Sequence, residues 1–329
     1  MDTVRSSVVN QLNPHSVEVS MAGDAPMDFL ETLALNYLGT VPARGSTSAT
    51  PTSTEPMVMK VKTLGKGRQL GVYLPDSDER AMGYLAGPGR SPSHNLITHC
   101  NTPSHTLQRI LTPPSPPPFA TTTTPFKAPN KWGLLADGSL VADALGEGQK
   151  GKDARRSHPL FGHCALLVMQ EVANRRLFSV VREERRLTYD ASFQLHGHEA
   201  IQGGYYLVAV TSSPQQVPAA VQACKEALES LRGTFGVMGD SVQSAKRSIL
   251  NRFRGESLTN KFWVENLSGT QLESMPLKTL RSIAEFENVL SGVTAQDVQL
   301  LVEAMNFTED NMTTCVGITA AQLPPGLNV

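Results

Sequence analysis

From residue 158 onward, apolar residues recur at two clear spacings. Apolar residues at helical spacing predict three helices, at 159–174, 177–186 and 214–231. Alternation of apolar and polar residues predicts two strands, at 188–195 and 204–212. Only a short polar segment separates the two strands, so they are expected to pair as a hairpin.

The pattern then turns mainly helical up to the C-terminal end of the chain. It predicts four helices and a final strand, at 240–254, 257–273, 277–290, 294–305 and 311–318. Thr294 suits the N-cap position of the last helix, and Asp297 stands three residues later. These two residues predict a capping box of the less usual Asp type.

The N-terminal part has weaker signals. Residues 16–22 alternate like a strand, Gly23 and Asp24 suit a turn, and residues 27–38 have helical spacing up to Gly39. Two further strands are predicted around a polar turn, at 69–74 and 81–86. Neighbouring strands therefore form antiparallel-looking pairs, and helices cluster after them. This order favours the α+β class over a parallel alternation of strands and helices.

Two stretches lack periodicity. Residues 44–68 begin with a Ser/Thr/Pro-rich sequence typical of a linker. Residues 91–127 are rich in Pro, Thr and Ser, with almost no charge. The second stretch offers too little apolar surface to offset its ordering entropy, so a disordered insert is predicted.

Composition excludes several function classes. The 329 residues have a formal net charge of -1, which argues against a broad nucleic-acid-binding face. No apolar run approaches the ~20 residues needed to span a bilayer. The four cysteines lie far apart, so neither a zinc ribbon nor a disulfide framework is indicated. The first residues contain no apolar segment of the secretory type, and no signal peptide is expected.

Sequence motifs for metal, nucleotide or serine chemistry are missing. Neither H-x-x-E-H nor H-E-x-x-H occurs among the eight histidines, and G-x-S-x-G does not occur. The G-K-G at 65–67 lacks the rest of a phosphate-binding loop. His196, His198 and Glu199 form the one tempting metal cluster. Because a loop of this kind lacks a preorganised third ligand, no metal site is predicted in this chain.

Arg182 and Tyr189 stand seven residues apart in R-E-E-R-R-L-T-Y-D-A-S-F, residues 182–193, where a predicted helix runs into a predicted strand. Arginine offers five donors in a fixed fork, and tyrosine a phenol on a rigid ring. Together they could hold a peptide carbonyl and stabilise the oxyanion formed on attack. On spacing alone, a helix-surface arginine and a half-buried strand tyrosine remain the alternative.

The surrounding residues add a resemblance. The run N-R-R-L-F-S-V-V-R-E-E-R-R-L-T-Y-D-A-S-F and the upstream strand–G-D–helix unit resemble the C-terminal half of the pitrilysin/insulinase family of zinc metallopeptidases. The resemblance implies an α+β fold with an antiparallel sheet and helices packed on one face. It also implies that Arg182 and Tyr189 support substrate in trans to a zinc ion. The zinc would be held by H-x-x-E-H in a complementary N-terminal half.

The resemblance also implies a domain plan. The peptidase domain starts at 1–43 and continues as the main domain at 128–329. Between them lie a linker at 44–68, a strand pair at 69–90 and the insert at 91–127. One departure is Arg186, which stands where the family usually has a glycine. If that position needs a positive φ, the turn would be strained or reshaped.

The expected function follows from the resemblance. The chain would be the non-zinc, substrate-binding part of a zinc metalloendopeptidase that processes transit peptides of imported precursors in the plastid stroma. Its partners would be a zinc-bearing catalytic domain and a precursor protein, and the chain alone would cleave nothing. The alternatives are a catalytically inactive structural or partner subunit and a truncated product without an independent role.

Overall fold

The structure is a computed structural model. It describes residues 19–40, 58, 69–87, 128–146, 155–199, 201–233, 236–270 and 277–322. The predicted insert at 91–127 lies outside these residues, as does the predicted linker at 44–68 apart from Val58.

The helices broadly follow the predicted order. They are α1 Met27–Tyr37, α2 Val141–Gly146, α3 Phe161–Leu177, α4 Val217–Glu229, α5 Gly239–Glu256, α6 Asn260–Leu267, α7 Leu280–Gly292 and α8 Ala295–Met305. A π-helical segment, Phe178–Glu184, continues α3, and a 3-10 turn, Glu309–Asn311, follows α8. The prediction of a separate helix at 177–186 is therefore wrong, because Phe178–Glu184 continues α3 without a break.

Among the described residues, the sheet has five strands: β1 Gln69–Pro75, β2 Arg80–Gly87, β3 Asp190–His196, β4 Tyr205–Ser212 and β5 Thr313–Ala320. Their order is β1-β5-β2-β4-β3. The β3–β4, β4–β2 and β2–β5 pairs are antiparallel, and β1 runs parallel to β5. The α+β class and the β3–β4 hairpin are confirmed.

Two details differ from the pattern-based predictions. β1 and β2 do not pair with each other, because β5 lies between them and makes one pair parallel. The connection between them lacks the two-residue glycine turn that favours a hairpin. Residues 19–22 of the predicted strand at 16–22 are not in a strand, and residues 16–18 lie outside the described part.

Helices α3 and α4 pack on one face of the sheet. In β2, Ala81 and Leu85 are buried, while Met82 between them is 39% exposed. Gly83 is a point of close approach, because a Cβ there would lie 2.3 Å from Cγ2 of Val221 in α4. The strand therefore alternates between a helix-covered face and a more open face, as a one-sided sheet requires.

An aromatic cluster fills the core beneath these helices. Phe193 of β3 and Tyr206 of β4 stack with their ring centroids 5.9 Å apart. Phe307 meets both rings edge-on, at 5.5 Å and 5.1 Å. All three side chains are fully buried, so the cluster fixes the hairpin against the chain segment that follows α8.

The chain divides into two compact units. One comprises Val58–Lys246 and Asn288–Val329 and contains the sheet. The other comprises Met1–Met57 and Arg247–Glu287. Within this second unit, Phe253 and Phe286 lie 4.5 Å apart between ring centroids, and Arg254 makes a two-armed ion pair with Glu287.

α1 also belongs to the second unit. It has no buried residue, and Met27, Phe29 and Tyr37 are exposed. The helix predicted at 257–273 is shorter than expected. Its start shifts because Thr259 is the N-cap, accepting a hydrogen bond from the Phe262 amide.

Candidate functional site

The site begins where α3 passes into the π-helical segment. The bond from the Arg185 amide to the Val180 carbonyl, 3.2 Å, spans five residues and gives the wider turn. π-Helical turns of this kind often occur at functional sites. Arg182 is exposed in this turn, and its guanidinium lies 4.8 Å from the Phe178 ring centroid. The ring supports the planar cation by stacking.

Arg186 turns the chain from the helix toward the sheet. Its φ is +53°, in the left-handed region that L-residues other than glycine, asparagine and aspartate seldom adopt. The amide of the next residue, Leu187, donates to the Val181 carbonyl at 3.0 Å. The position that the resemblance assigns to glycine thus does require a positive φ, and here an arginine adopts it.

Thr188 fastens the segment to the sheet. Its hydroxyl accepts from the Asp190 amide at 3.0 Å and lies within hydrogen-bond distance of the Thr211 carbonyl on β4. The Ser212 hydroxyl donates to the Leu187 carbonyl at 2.6 Å. Thr188 is buried, so the backbone before Tyr189 is held on both sides.

Tyr189 follows this anchor and is 91% exposed. It precedes the first residue of β3, Asp190, and so does not lie within the strand. A half-buried strand tyrosine, the alternative suggested by the spacing alone, is therefore not what the structure contains. Instead the phenol stands in solvent directly after a rigid attachment point.

Arg182 and Tyr189 line one pocket of about 680 Å³. Its other lining residues come from the connection before β2, the turn into β3 and the end of β4: Glu79, Arg186, Leu187, Thr188, Thr211, Ser212, Ser213 and Gln216. The two residues predicted from the sequence are thus brought together. Sequence reasoning gave no role to Glu79 or Gln216, because no local pattern places either residue beside Arg182 and Tyr189. Arg186 was noticed only as a departure from glycine.

Unused donors distinguish this pocket. Within the described part of the chain, Arg182, Arg186 and Tyr189 make no hydrogen bond or ion pair. Of the described lining residues, only Glu79 is acidic. Two guanidinium groups and a phenol thus remain available, and such groups bind carbonyl and carboxylate oxygens.

Other charged residues of the 182–186 segment, unlike Arg182 and Arg186, make polar contacts with neighbouring side chains among the described residues. Arg185 pairs with Glu226 of α4. The pKa of Glu226 is lowered, first because the Gln222 amide donates to it and then because Arg185 does. The Ser179 hydroxyl donates to Glu184 at 3.2 Å. Both contacts lie at the surface, so they are expected to add little to stability.

The histidine cluster has other contacts. The His196 ring stacks on Tyr205 with centroids 5.1 Å apart, and Glu199 pairs with Lys131. Among the described residues, no group of three His, Cys, Asp or Glu side chains could hold a metal ion.

A separate observation concerns membranes. Within the described ranges, none of the helices combines the length and apolar character that crossing a bilayer requires.

Known proteins resemble this chain over nearly all of its length. A family model described as the peptidase M16 inactive domain matches residues 2–249. The chain is 30% identical over 338 residues to the chloroplastic stromal processing peptidase of Pisum sativum, and 30% identical over 341 residues to that of Arabidopsis thaliana. Each alignment covers 98% of this chain and 24% of the relative. The chain thus spans about a quarter of the length of these relatives.

Solved structures share the fold. A peptidase M16 inactive domain from Pseudomonas fluorescens matches with a TM-score of 0.50 and 15% identity, covering 93% of this chain and 54% of that one. A conserved protein from Enterococcus faecalis V583 matches with a TM-score of 0.51 and 13% identity, covering 92% and 51%. The resemblance found in the sequence is confirmed, and the chain belongs to the family of peptidase M16 inactive domains.

Proposed function

We propose that this chain is the substrate-side part of a zinc metalloendopeptidase and that its pocket holds the peptide being cleaved. Zinc would lie in a complementary domain that carries H-x-x-E-H. The peptide substrates would be precursor proteins imported into plastids, whose transit peptides are removed in the stroma.

The observation that carries this proposal is the pairing of Arg182 and Tyr189 in one pocket with their donors unused by the described fold. These donors contact solvent and not the fold, so a peptide that enters the pocket can bind them. The framework behind them is rigid, since Thr188 joins the segment to both β3 and β4. Rigid placement is what donors to a transition state need.

Arg182 and Tyr189 would have different roles in binding and catalysis. Arg182, oriented by the Phe178 ring, would donate to a backbone carbonyl of the peptide and fix its position. Tyr189 would donate its phenol proton in a hydrogen bond to the scissile carbonyl oxygen as negative charge develops there. Neither residue would give up a proton, so their contribution is binding and charge stabilisation.

The substrate class rests on the relatives. Two proteins named as chloroplastic stromal processing peptidases align with 98% of this chain at 30% identity. Because the chain spans about a quarter of each, the activity and location of those whole proteins are extended to this chain only within this proposal.

The test is Tyr189→Phe in the native assembly, purified through a tag on this chain and assayed with a fluorogenic precursor peptide. We expect kcat to fall by about 10²-fold or more, the range for losing one oxyanion donor. Peptide affinity should change little, because the phenol acts mainly on the charged transition state.

Tyr73→Phe is the matched control. It makes the same chemical change in β1, where the hydroxyl donates to the Ala320 carbonyl at 3.0 Å and lies outside the pocket. An unchanged kcat in Tyr189→Phe would contradict the assigned role. An assembly that binds the peptide but never cleaves it would instead favour the inactive-subunit alternative.

A further inference from the structure

Arg186 occupies a backbone conformation that disfavours its own side chain. Its φ of +53° would suit glycine or asparagine better. The position is fixed from both sides, since the Leu187 amide donates to the Val181 carbonyl and the Thr188 hydroxyl contacts β4. The fold therefore imposes the strain on whatever residue stands there. An arginine is not explained by the needs of the turn.

Contacts within the fold do not explain the arginine either. The preceding residue, Arg185, forms an ion pair with Glu226. Arg186 has no hydrogen bond or ion pair with any described residue, yet it lines the same pocket as Arg182. A planar cation in a strained position, with open donors, indicates a role toward something that enters the pocket.

The charge of the pocket indicates what that would be. Two guanidinium groups line it, and Glu79 is the sole carboxylate among its described lining residues. The cationic side chains outnumber the acidic one. Guanidinium groups bind carboxylates through two parallel hydrogen bonds. Glu79 forms no ion pair with either guanidinium group, so both remain available to a negative group that enters the pocket.

We propose that Arg186 is a specificity-determining residue that selects peptides carrying a carboxylate beside the segment held by Arg182. This inference rests on the proposed function, since it assumes that the pocket binds peptide. An acidic side chain and the C-terminal carboxylate of a peptide share the required chemistry. Transit peptides are poor in acidic residues. The carboxylate would therefore come from the mature protein or from a free peptide end.

The test is direct binding of three short fluorescein-labelled peptides to the native assembly, followed by fluorescence anisotropy. The first peptide is neutral and amidated, the second is amidated with one central Glu, and the third is neutral with a free C-terminal carboxylate. We expect one of the two carboxylate peptides to bind roughly three- to tenfold more tightly than the neutral one, as a part-exposed charged pair allows. The preference should shrink at high salt.

Variants assign that preference to a residue. Arg186→Gly and Arg186→Asn both tolerate the positive φ and should abolish the preference for the carboxylate peptides over the neutral one. Arg186→Lys keeps the charge but loses the planar fork, and should retain part of the preference. Glu79→Gln removes the competing carboxylate and should increase the preference. If Glu79 only supported the fold, Glu79→Gln would not increase the preference for carboxylate peptides.

The outcomes separate the two proposals. Equal affinity for all three peptides would overturn the inference, while the proposed function would stand if Arg182→Gln weakened all three alike. A preference that survives in both Arg186→Gly and Arg186→Asn would also overturn it. Failure of every peptide to bind would contradict the proposed function, and the inference would fall with it.

Discussion

Two polar clusters in the sheet-bearing unit are built in opposite ways. Around Asp297, at the start of α8, charged groups are buried and bonded on every side. In the pocket around Arg182, Arg186 and Tyr189, the charged and polar groups are exposed, and their donors are unused within the described residues. The first cluster stabilises the fold, and the second costs stability at Arg186.

The buried cluster joins several elements. Arg156 contacts Asp297 through Nη2 at 2.6 Å and Nε at 2.8 Å, and both side chains are nearly or fully inaccessible. The other carboxylate oxygen accepts from the amide and the hydroxyl of Thr294. Lys246 donates to the carbonyls of Ser291 and Val293, and burial lowers the pKa of its ammonium group.

The difference teaches where to look for function. A polar group whose bonds are all satisfied inside the protein has a structural explanation. A polar group that lines a pocket and has no bond inside the protein is exposed to water, and an entering ligand can replace that water. By this criterion Arg182, Arg186 and Tyr189 are functional candidates, while Asp297 and Lys246 are not.

The largest expected effect comes from breaking the buried cluster. Asp297→Ala removes the carboxylate that the buried Arg156 contacts and also removes the capping box, so the free energy of unfolding should fall by about 3–5 kcal/mol. Urea unfolding measures this. Glu226→Ala breaks an exposed ion pair in the same unit and should show no measurable change. Similar losses in both variants would refute the contrast.

A pH effect should follow from His163. Its half-buried ring lies against Trp132, with the ring centroids 4.9 Å apart and the planes tilted by 31°. Burial, opposed by its contact with the Lys131 carbonyl, lowers the pKa of His163 from 6.5 to about 4. The unfolded chain therefore binds a proton below pH 6.5 that the folded protein refuses. The free energy of unfolding should therefore fall by about 2 kcal/mol as the pH drops from 6.5 to about 4, after discounting for the partial exposure of the ring.

The measurement compares the wild type with His163→Gln by urea unfolding from about pH 7 to about pH 4. The wild type should lose more stability than the variant over that range. Parallel curves would mean that the His163 pKa is not lowered in the folded protein.

A smaller effect is expected at Thr188, which is buried like Asp297 but also lines the pocket. Thr188→Val removes the hydroxyl that links the pocket segment to β3 and β4, and should cost about 1–2 kcal/mol of unfolding free energy. Because this hydroxyl also positions Tyr189, kcat of the assembly should fall as well. Thr308→Val, outside the pocket, serves as a control and should leave kcat unchanged. A loss of stability without loss of kcat would show that Tyr189 needs no such anchor.

The smallest effect is a gain. Arg186→Gly relieves the positive φ, and after the entropy cost of glycine the unfolding free energy should rise by up to about 1 kcal/mol. Thermal unfolding measures the change. Arg185→Gly, in the preceding residue with a right-handed φ of -98°, should destabilise instead. Destabilisation by Arg186→Gly would mean that the arginine is held by the fold and not reserved for a ligand.

Local features were predictable from the sequence. The capping box of Thr294 and Asp297 is confirmed because its bonds span three residues. The hairpin of β3 and β4 is confirmed for the same reason, since a short segment joins the strands. Both depend on neighbours in the chain, and pattern and propensity report those directly.

Long-range features were not predictable. Asp297 meets Arg156 from 141 positions away, and β5 enters the sheet between β1 and β2. Nothing in the local pattern specifies such partners. The pocket is an intermediate case: Arg182 and Tyr189 were found through a resemblance, whereas Glu79 joins them only through strand order. The roles of Arg182 and Tyr189 in substrate binding stay predictions.

The most direct test of the central claim is Arg182→Gln, measured for both stability and peptide affinity. The account predicts an unchanged free energy of unfolding, since the guanidinium only stacks on Phe178 at the surface, and peptide affinity weakened about tenfold by loss of a charged donor. Unfolding free energy that drops while affinity stays the same would contradict it, because Arg182 would then be a structural residue.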